Sequence, residues 1–151
     1  HHRDFLTVGG MGHANQIAAG IGFSLPDTKV LCIDGDGALL MHLGGLSVSA
    51  KCENLIHILV NNKAHDSVGG QSLSFECSDF AAIAENMGYG YSRSVSTLPA
   101  LNRELNLALD RDTSTFLEVF CKPGARPELG RPQKSPKNNK LDLMRKIGCL
   151  K

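Results

Sequence analysis

Asp36 stands between Gly35 and Gly37 directly after the apolar run from Val30, and Asn61-Asn62 closes a second apolar run that begins at Leu55. Glycines on both sides of a carboxylate permit tight backbone conformations and let a bulky group come close to the chain. The free N–H groups that open the following helix suit a phosphate. An acid at that spot would repel a phosphate unless a cation lay between them. Asp36 therefore reads as a ligand of Mg²⁺ that bridges to phosphate oxygens, because Mg²⁺ takes oxygen ligands and keeps several of its waters.

One carboxylate makes a sparse site, so a second oxygen donor is expected. Asn62 follows Asp36 by 26 residues (62 − 36), one helix plus one strand, which returns both to the same sheet edge. Its neutral amide oxygen suits a place where phosphates already bring negative charge, and the backbone carbonyl of Ala64 is a third oxygen just beyond. Taken alone, GDG is more often a turn whose Asp caps the helix behind it. A lone Asn-Asn is usually turn chemistry as well. The pair at this spacing, each member at the end of a buried strand, reverses that balance. "GDGALL" lacks the third glycine of a dinucleotide fingerprint, and no GK[ST] follows to make a phosphate-binding Walker loop.

The elements that must hold these residues follow from periodicity. Apolar runs of strand length alternate with helix-period segments, the mark of a parallel sheet covered on both faces. Strands are expected at Lys29–Asp34, Asn54–Asn61, Tyr91–Val95 and Thr115–Lys122, and helices at His13–Leu25, Leu40–Lys51, Leu98–Leu109 and Leu141–Leu150. A further helix covers "SDFAAIAENMG", with Ser78 as N-cap and Gly88 as stop, and Thr97 caps the helix after it. The fold class is α/β, a doubly wound, mostly parallel sheet with helices on both faces, whose ligands bind at the carboxyl ends of the strands. Residues 3–122 form the domain; 123–151, rich in Pro, Gly and basic residues at first, form an arm and a helix.

A chain of 151 residues holds one domain with a real core. A net charge of +1 gives no bias toward nucleic acid or an anionic membrane, and no apolar run reaches the ~20 residues of a membrane span. Only 5% of residues are aromatic, which argues against base-stacking platforms. No signal peptide opens the sequence. Its five widely spaced cysteines read as reduced thiols, so a cytoplasmic protein is expected.

Gly35-Asp36-Gly37, twenty-three residues, then Asn61-Asn62 resembles the thiamine diphosphate signature. "VGGMGHANQIAAGIGFSLPDTKVLCIDGDGALLMHLGGL", "NLIHILVNNKAHDSVGGQ" and "ELGRP" look like phosphonopyruvate decarboxylase, with sulfopyruvate decarboxylase a close relative. The likeness runs from about Arg3 to Pro132. It implies the pyrophosphate-binding domain of an enzyme that decarboxylates a 2-oxo acid, 3-phosphonopyruvate to phosphonoacetaldehyde and carbon dioxide, with thiamine diphosphate and Mg²⁺. On that likeness Asp36, Asn62 and the Ala64 carbonyl hold the metal, and the backbone of Gly35, Gly37 and Ala38 lines the diphosphate. Gly9, Gly10 and Met11 meet the other end of the cofactor, with Met11 supporting its bent shape. His65 donates to the diphosphate or the reacting intermediate, and a local structural hydrogen bond is the competing role.

The family's activating glutamate sits in a separate pyrimidine-binding domain. None of Glu53, Glu76, Glu85, Glu104, Glu118 or Glu128 matches its context. The chain is thus expected to be a half-site, inactive alone, needing a pyrimidine-binding partner in a hetero- or homo-oligomer. The alternatives are the β subunit of a sulfopyruvate decarboxylase and a non-catalytic cofactor- or partner-binding module. Lys63 and Asp66 depart from the family's Gly and Glu, and Lys63 would take a positive φ only at a cost of roughly 1 kcal/mol or more. His13 and His42 read as capping or helix-surface residues and His57 as a packed core histidine. Arg126 and Arg131 suit a phosphonate by chemistry, but belong more simply to a solvated arm.

Overall fold

A computed structural model describes residues 3–73 and 79–150, so the expectations placed on Glu76 and Ser78 lie outside the described residues. The chain forms two compact units, Gly12–Gly124 and a smaller one of His1–Met11 with Ala125–Lys151, in place of the expected division at residue 122. The N-terminal stretch joins the arm because of Asn139, whose buried side chain takes the Leu6 N–H on Oδ1 at 2.7 Å and gives Nδ2 to the Asp4 carbonyl at 2.7 Å.

In the larger unit the elements are α1 (Ala14–Ser24), β1 (Val30–Gly35), α2 (Asp36–Met41), α3 (Leu46–Ser49), β2 (Leu55–Asn61), α4 (Phe80–Asn86), β3 (Tyr91–Val95), α5 (Leu98–Asp110) and β4 (Thr115–Phe120). All four strands are parallel, in the order β1-β2-β4-β3. Cys32, His57 and Phe116 share one register row, and Ile33 and Ile58 share the next, so successive rows point to opposite faces. Leu59 and Phe116 pack on one face with Leu39, Leu46, Phe80 and Ala84 from α2, α3 and α4. Ile56 and Ile58 pack on the other with Leu105 and Ala108 of α5. Helices therefore cover both faces of the sheet, as the near-continuous apolar runs require. At the β1 edge, Leu31 and Ile33 remain 54% and 65% exposed on the α5 side.

Two elements differ from expectation. The single helix expected over Leu40–Lys51 starts at Asp36 and breaks at His42 (φ −140°, ψ 49°) into α2, a short 3₁₀ turn and α3. Gly45 packs against the Gln16 side chain of α1, where an added Cβ would displace the end of that side chain. In the smaller unit, α6 spans Pro136–Lys146 and begins earlier than the expected Leu141, with Ser135 accepting from the Asn138 N–H and Pro136 in the first turn. Asp79 caps α4, accepting from the Ala82 N–H at 2.8 Å, and Gly88 ends the segment at φ 103°. Thr97 caps α5 as the sequence suggests.

His57 is a fully buried core histidine. Ser49 gives its hydroxyl proton to the Gly45 carbonyl, the Tyr89 hydroxyl donates to Ser49 at 3.0 Å, and the network assigns the Nδ1 proton of His57 to Tyr89 at 3.1 Å. Nε2 lies 3.7 Å from the Asp34 carboxylate. Burial pushes the Tyr89 hydroxyl up from its ordinary range, so it serves as a neutral link. Tyr89→Phe removes the acceptor that the described residues offer Nδ1 and is expected to lower unfolding stability by about 1–3 kcal/mol in urea titrations. An unchanged midpoint would refute this reading of the network.

Candidate functional site

β1 and β2 lie side by side with Gly35 opposite Val60, so Asp36 and Asn61-Asn62 leave the sheet at one edge. Asp36 is 2% exposed and accepts two backbone N–H groups at 2.7 Å, from Gly37 on Oδ1 and from Lys63 on Oδ2. The first bond is the local turn that GDG makes in any context. The second crosses from one strand end to the other and joins the two motifs. A carboxylate offers about four lone-pair positions, so each oxygen retains one.

Asn62 is half-buried, accepting the Ala64 N–H on Oδ1 at 3.0 Å and donating Nδ2 to Asp66 at 2.7 Å. The same Asp66 oxygen takes the Gly124 N–H at 2.7 Å, so Asp66 fixes which end of the Asn62 amide faces the loop. Beyond it the chain folds back on itself. Leu73 N–H reaches the Lys63 carbonyl at 3.1 Å and His65 N–H reaches the Gln71 carbonyl at 2.8 Å, which pairs Ala64 with Ser72. Those bonds leave the Ala64 carbonyl outside the ladder.

Lys63 takes φ 58°, the one positive φ at a non-glycine among the described residues. The cost expected of a lysine at this position is therefore met. A Cβ at Gly37 would lie 2.4 Å from Nδ1 of His65, so only glycine lets the imidazole ring rest against the start of α2. Gly35 has open space where a side chain would be, and Ala38 is half-buried. Asp36, Gly37, Asn62, Ala64 and His65 are thus assembled by one loop. Gly9, Gly10 and Met11 belong to the smaller unit, Gly9 at φ 77° and Met11 half-buried.

One carboxylate with free lone pairs, one oriented amide oxygen and one carbonyl form an oxygen-only donor set that fits a hard divalent cation. No group of three His, Cys, Asp or Glu side chains suited to a metal occurs among the described residues. His13 and His42 stack on one another with centroids 4.1 Å apart. Arg126 pairs with Glu128 at 3.6 Å on the exposed arm, in keeping with the solvated reading. Sequence reasoning missed Glu118, whose carboxylate accepts from the Asn61 amide, and Ser94, whose hydroxyl donates to that carboxylate. The available signal was a lone charge inside the apolar strand "TFLEVF".

Lys63→Gly relieves the left-handed strain but adds unfolded-state freedom, so unfolding stability should stay level or rise by up to about 1 kcal/mol; Lys63→Val should lose about 1–2 kcal/mol. Chemical denaturation measures both, and equal stability of the three proteins would overturn the strain assignment.

Residues 1–119 match the family described as "Thiamine pyrophosphate enzyme, C-terminal TPP binding domain". The chain is 37% identical to phosphonopyruvate decarboxylase of Streptomyces viridochromogenes, over 87% of its own length and 34% of that protein's. It is also 37% identical to the sulfopyruvate decarboxylase β subunit of Methanothermobacter thermautotrophicus, over 81% of its length and 64% of the subunit's. It therefore spans about a third of the first relative and under two thirds of the second. The fold is similar to a thiamin diphosphate-dependent enzyme structure from Mycobacterium smegmatis, at TM-score 0.64 and 24% identity over 77% of this chain and 23% of that one. The turn and the loop that the Lys63–Asp36 bond closes thus belong to a member of the C-terminal thiamine diphosphate-binding domain family of thiamine pyrophosphate enzymes.

Proposed function

We propose that this chain supplies the diphosphate- and Mg²⁺-holding half of a 2-oxo acid decarboxylase site, with 3-phosphonopyruvate as the substrate. The observation that carries the reading is the 2.7 Å bond from Lys63 N–H to Asp36, which makes one site of two strand ends. Asp36, the Asn62 amide oxygen and the Ala64 carbonyl would hold Mg²⁺, and the backbone of Gly35, Gly37 and Ala38 would receive the diphosphate. His65, held against Gly37, would give a hydrogen bond to a phosphate oxygen or a proton to the reacting centre. Gly9, Gly10 and Met11 would meet the pyrimidine end. When bound, thiamine diphosphate supplies the electron sink on which a 2-oxo acid loses carbon dioxide, while the protein binds, orients and moves protons.

The glutamate that such chemistry needs at the pyrimidine ring would come from a partner domain or subunit, so the isolated chain should be silent. The 64% coverage of a protein named as a β subunit favours a second reading, that the acid is sulfopyruvate and the partner a separate chain.

Carbon dioxide release from 3-phosphonopyruvate and from sulfopyruvate, with Mg²⁺ and thiamine diphosphate, decides between them. Turnover is expected only when a pyrimidine-binding partner is present, and selectively for phosphonopyruvate. Selectivity for sulfopyruvate would establish the second reading, and turnover by the chain alone would sink the half-site. Calorimetry adds a check independent of catalysis: Asp36→Ala should lose Mg²⁺-dependent cofactor binding by at least about 100-fold, and unchanged binding would remove Asp36 from the metal.

A further inference from the structure

Glu118 has no part in the site as described so far, yet it is a charged residue with no exposed surface, in a central strand of the sheet. Its two oxygens are both engaged, Oε1 by the Asn61 amide at 2.6 Å and Oε2 by the Ser94 hydroxyl at 2.7 Å. Asn61 is 1% exposed and turns its other end outward, where Oδ1 accepts the Lys63 N–H at 3.2 Å. That N–H is the one shared with Asp36. The contacts form an unbroken line across three strands, from Ser94 on β3 to Glu118 on β4, Asn61 on β2, Lys63 and finally Asp36.

We infer that Glu118 is a positioning residue for the metal loop, acting through Asn61 on the Lys63 N–H and so on Asp36. The inference rests on the reading of the Asp36 site given above. Its physical content is the asymmetry of an amide. An Asn side chain can turn over and exchange its donor and acceptor ends, and in an apolar pocket nothing selects between them. A carboxylate is acceptor-only, so it takes the Nδ2 end alone and leaves Oδ1 facing the loop. In the reverse orientation the Asn61 amide would put N–H groups against both Glu118 and Lys63, leaving buried polar atoms unpaired on two sides. The oriented Oδ1 then holds the Lys63 N–H, and the peptide that carries it, beside Asp36, just ahead of the strained φ of Lys63. Residues that orient metal ligands in this indirect way typically change metal affinity 10–100-fold when removed.

The test uses the whole chain, together with its partner where one co-purifies, and two readouts. Without cofactor, hydrogen–deuterium exchange at the Lys63 amide is measured against the Leu59 amide of β2, which reports global opening. With cofactor, Mg²⁺ affinity is measured at saturating thiamine diphosphate. Glu118→Leu should raise Lys63 exchange relative to Leu59 at least tenfold and weaken Mg²⁺ at least tenfold. Glu118→Gln should keep both within threefold, since a Gln oxygen can accept from Asn61 while its NH₂ donates to Ser94. A purely structural role would not be rescued in this way. Should Glu118→Leu not fold, Asn61→Ala replaces it, with the same expected rise at Lys63.

Wild-type exchange at Lys63 in a folded Glu118→Leu or Asn61→Ala chain would overturn the inference, as would equal loss in Glu118→Gln and Glu118→Leu. The exchange arm contains no metal, so it stands whether or not the metal reading does. A wild-type chain that binds no Mg²⁺ with thiamine diphosphate would count against the site reading alone.

Discussion

The hydrogen bond from the Lys63 N–H to the Asp36 carboxylate is the constraint around which this unit is arranged. It needs β1 and β2 to be neighbours in register, so that Gly35 ends beside Val60 and the two connections leave on the same side. A parallel pair with a helical crossover gives that geometry, because both strands run the same way and end at one edge. The bond also needs an N–H that points back toward the sheet, and Asn61 Oδ1 holds it there from the other side before the chain turns away through the left-handed Lys63. Remove either condition, and a carboxylate that is 2% exposed keeps a single neighbouring N–H, poor compensation for leaving water.

The charge distribution follows the same logic. Asp36 brings a negative charge to a backbone framed by glycine, and a diphosphate would bring more. These charges tolerate one another only with a cation between them, and Asp36, Asn62 and Ala64 offer it oxygens. Asp66 and Glu118 stand behind the loop in parallel roles, one orienting the Asn62 amide and the other the Asn61 amide. Each of the adjacent asparagines is thus turned by its own carboxylate. Asp66 does this with backing from the Gly124 N–H, which bonds the same carboxylate oxygen.

The strands and the βαβ spacing were legible because each rests on local pattern: uninterrupted apolar runs, and a fixed length between Asp36 and Asn62. Gly88 and Thr97 were legible for the same reason, since stop and cap chemistry is local. What escaped depends on contacts distant in sequence. The division of the chain comes from Asn139 bonding Asp4 and Leu6. Nothing near those residues announces either contact. The early start of α6 is a different failure, because Ser135-Pro136 is a recognisable helix opening hidden in a stretch of turn-forming residues. Glu118 was weighed only as an acid–base candidate, and a charge buried for orientation leaves the same mark in the sequence as one buried for catalysis.

Lysine at residue 63 is the feature that most suggests loss of function, and the geometry argues the other way. A strained φ persists only where its surroundings over-determine it. Here the Lys63 N–H is held by Asp36 and Asn61, and its carbonyl by the Leu73 N–H, so three contacts fix both peptide groups. The side chain itself is exposed and takes no part in those bonds. The network from Ser94 to Asp36 holds the backbone of residue 63 in the left-handed region that glycine takes without cost, and the lysine ammonium lies outside those bonds.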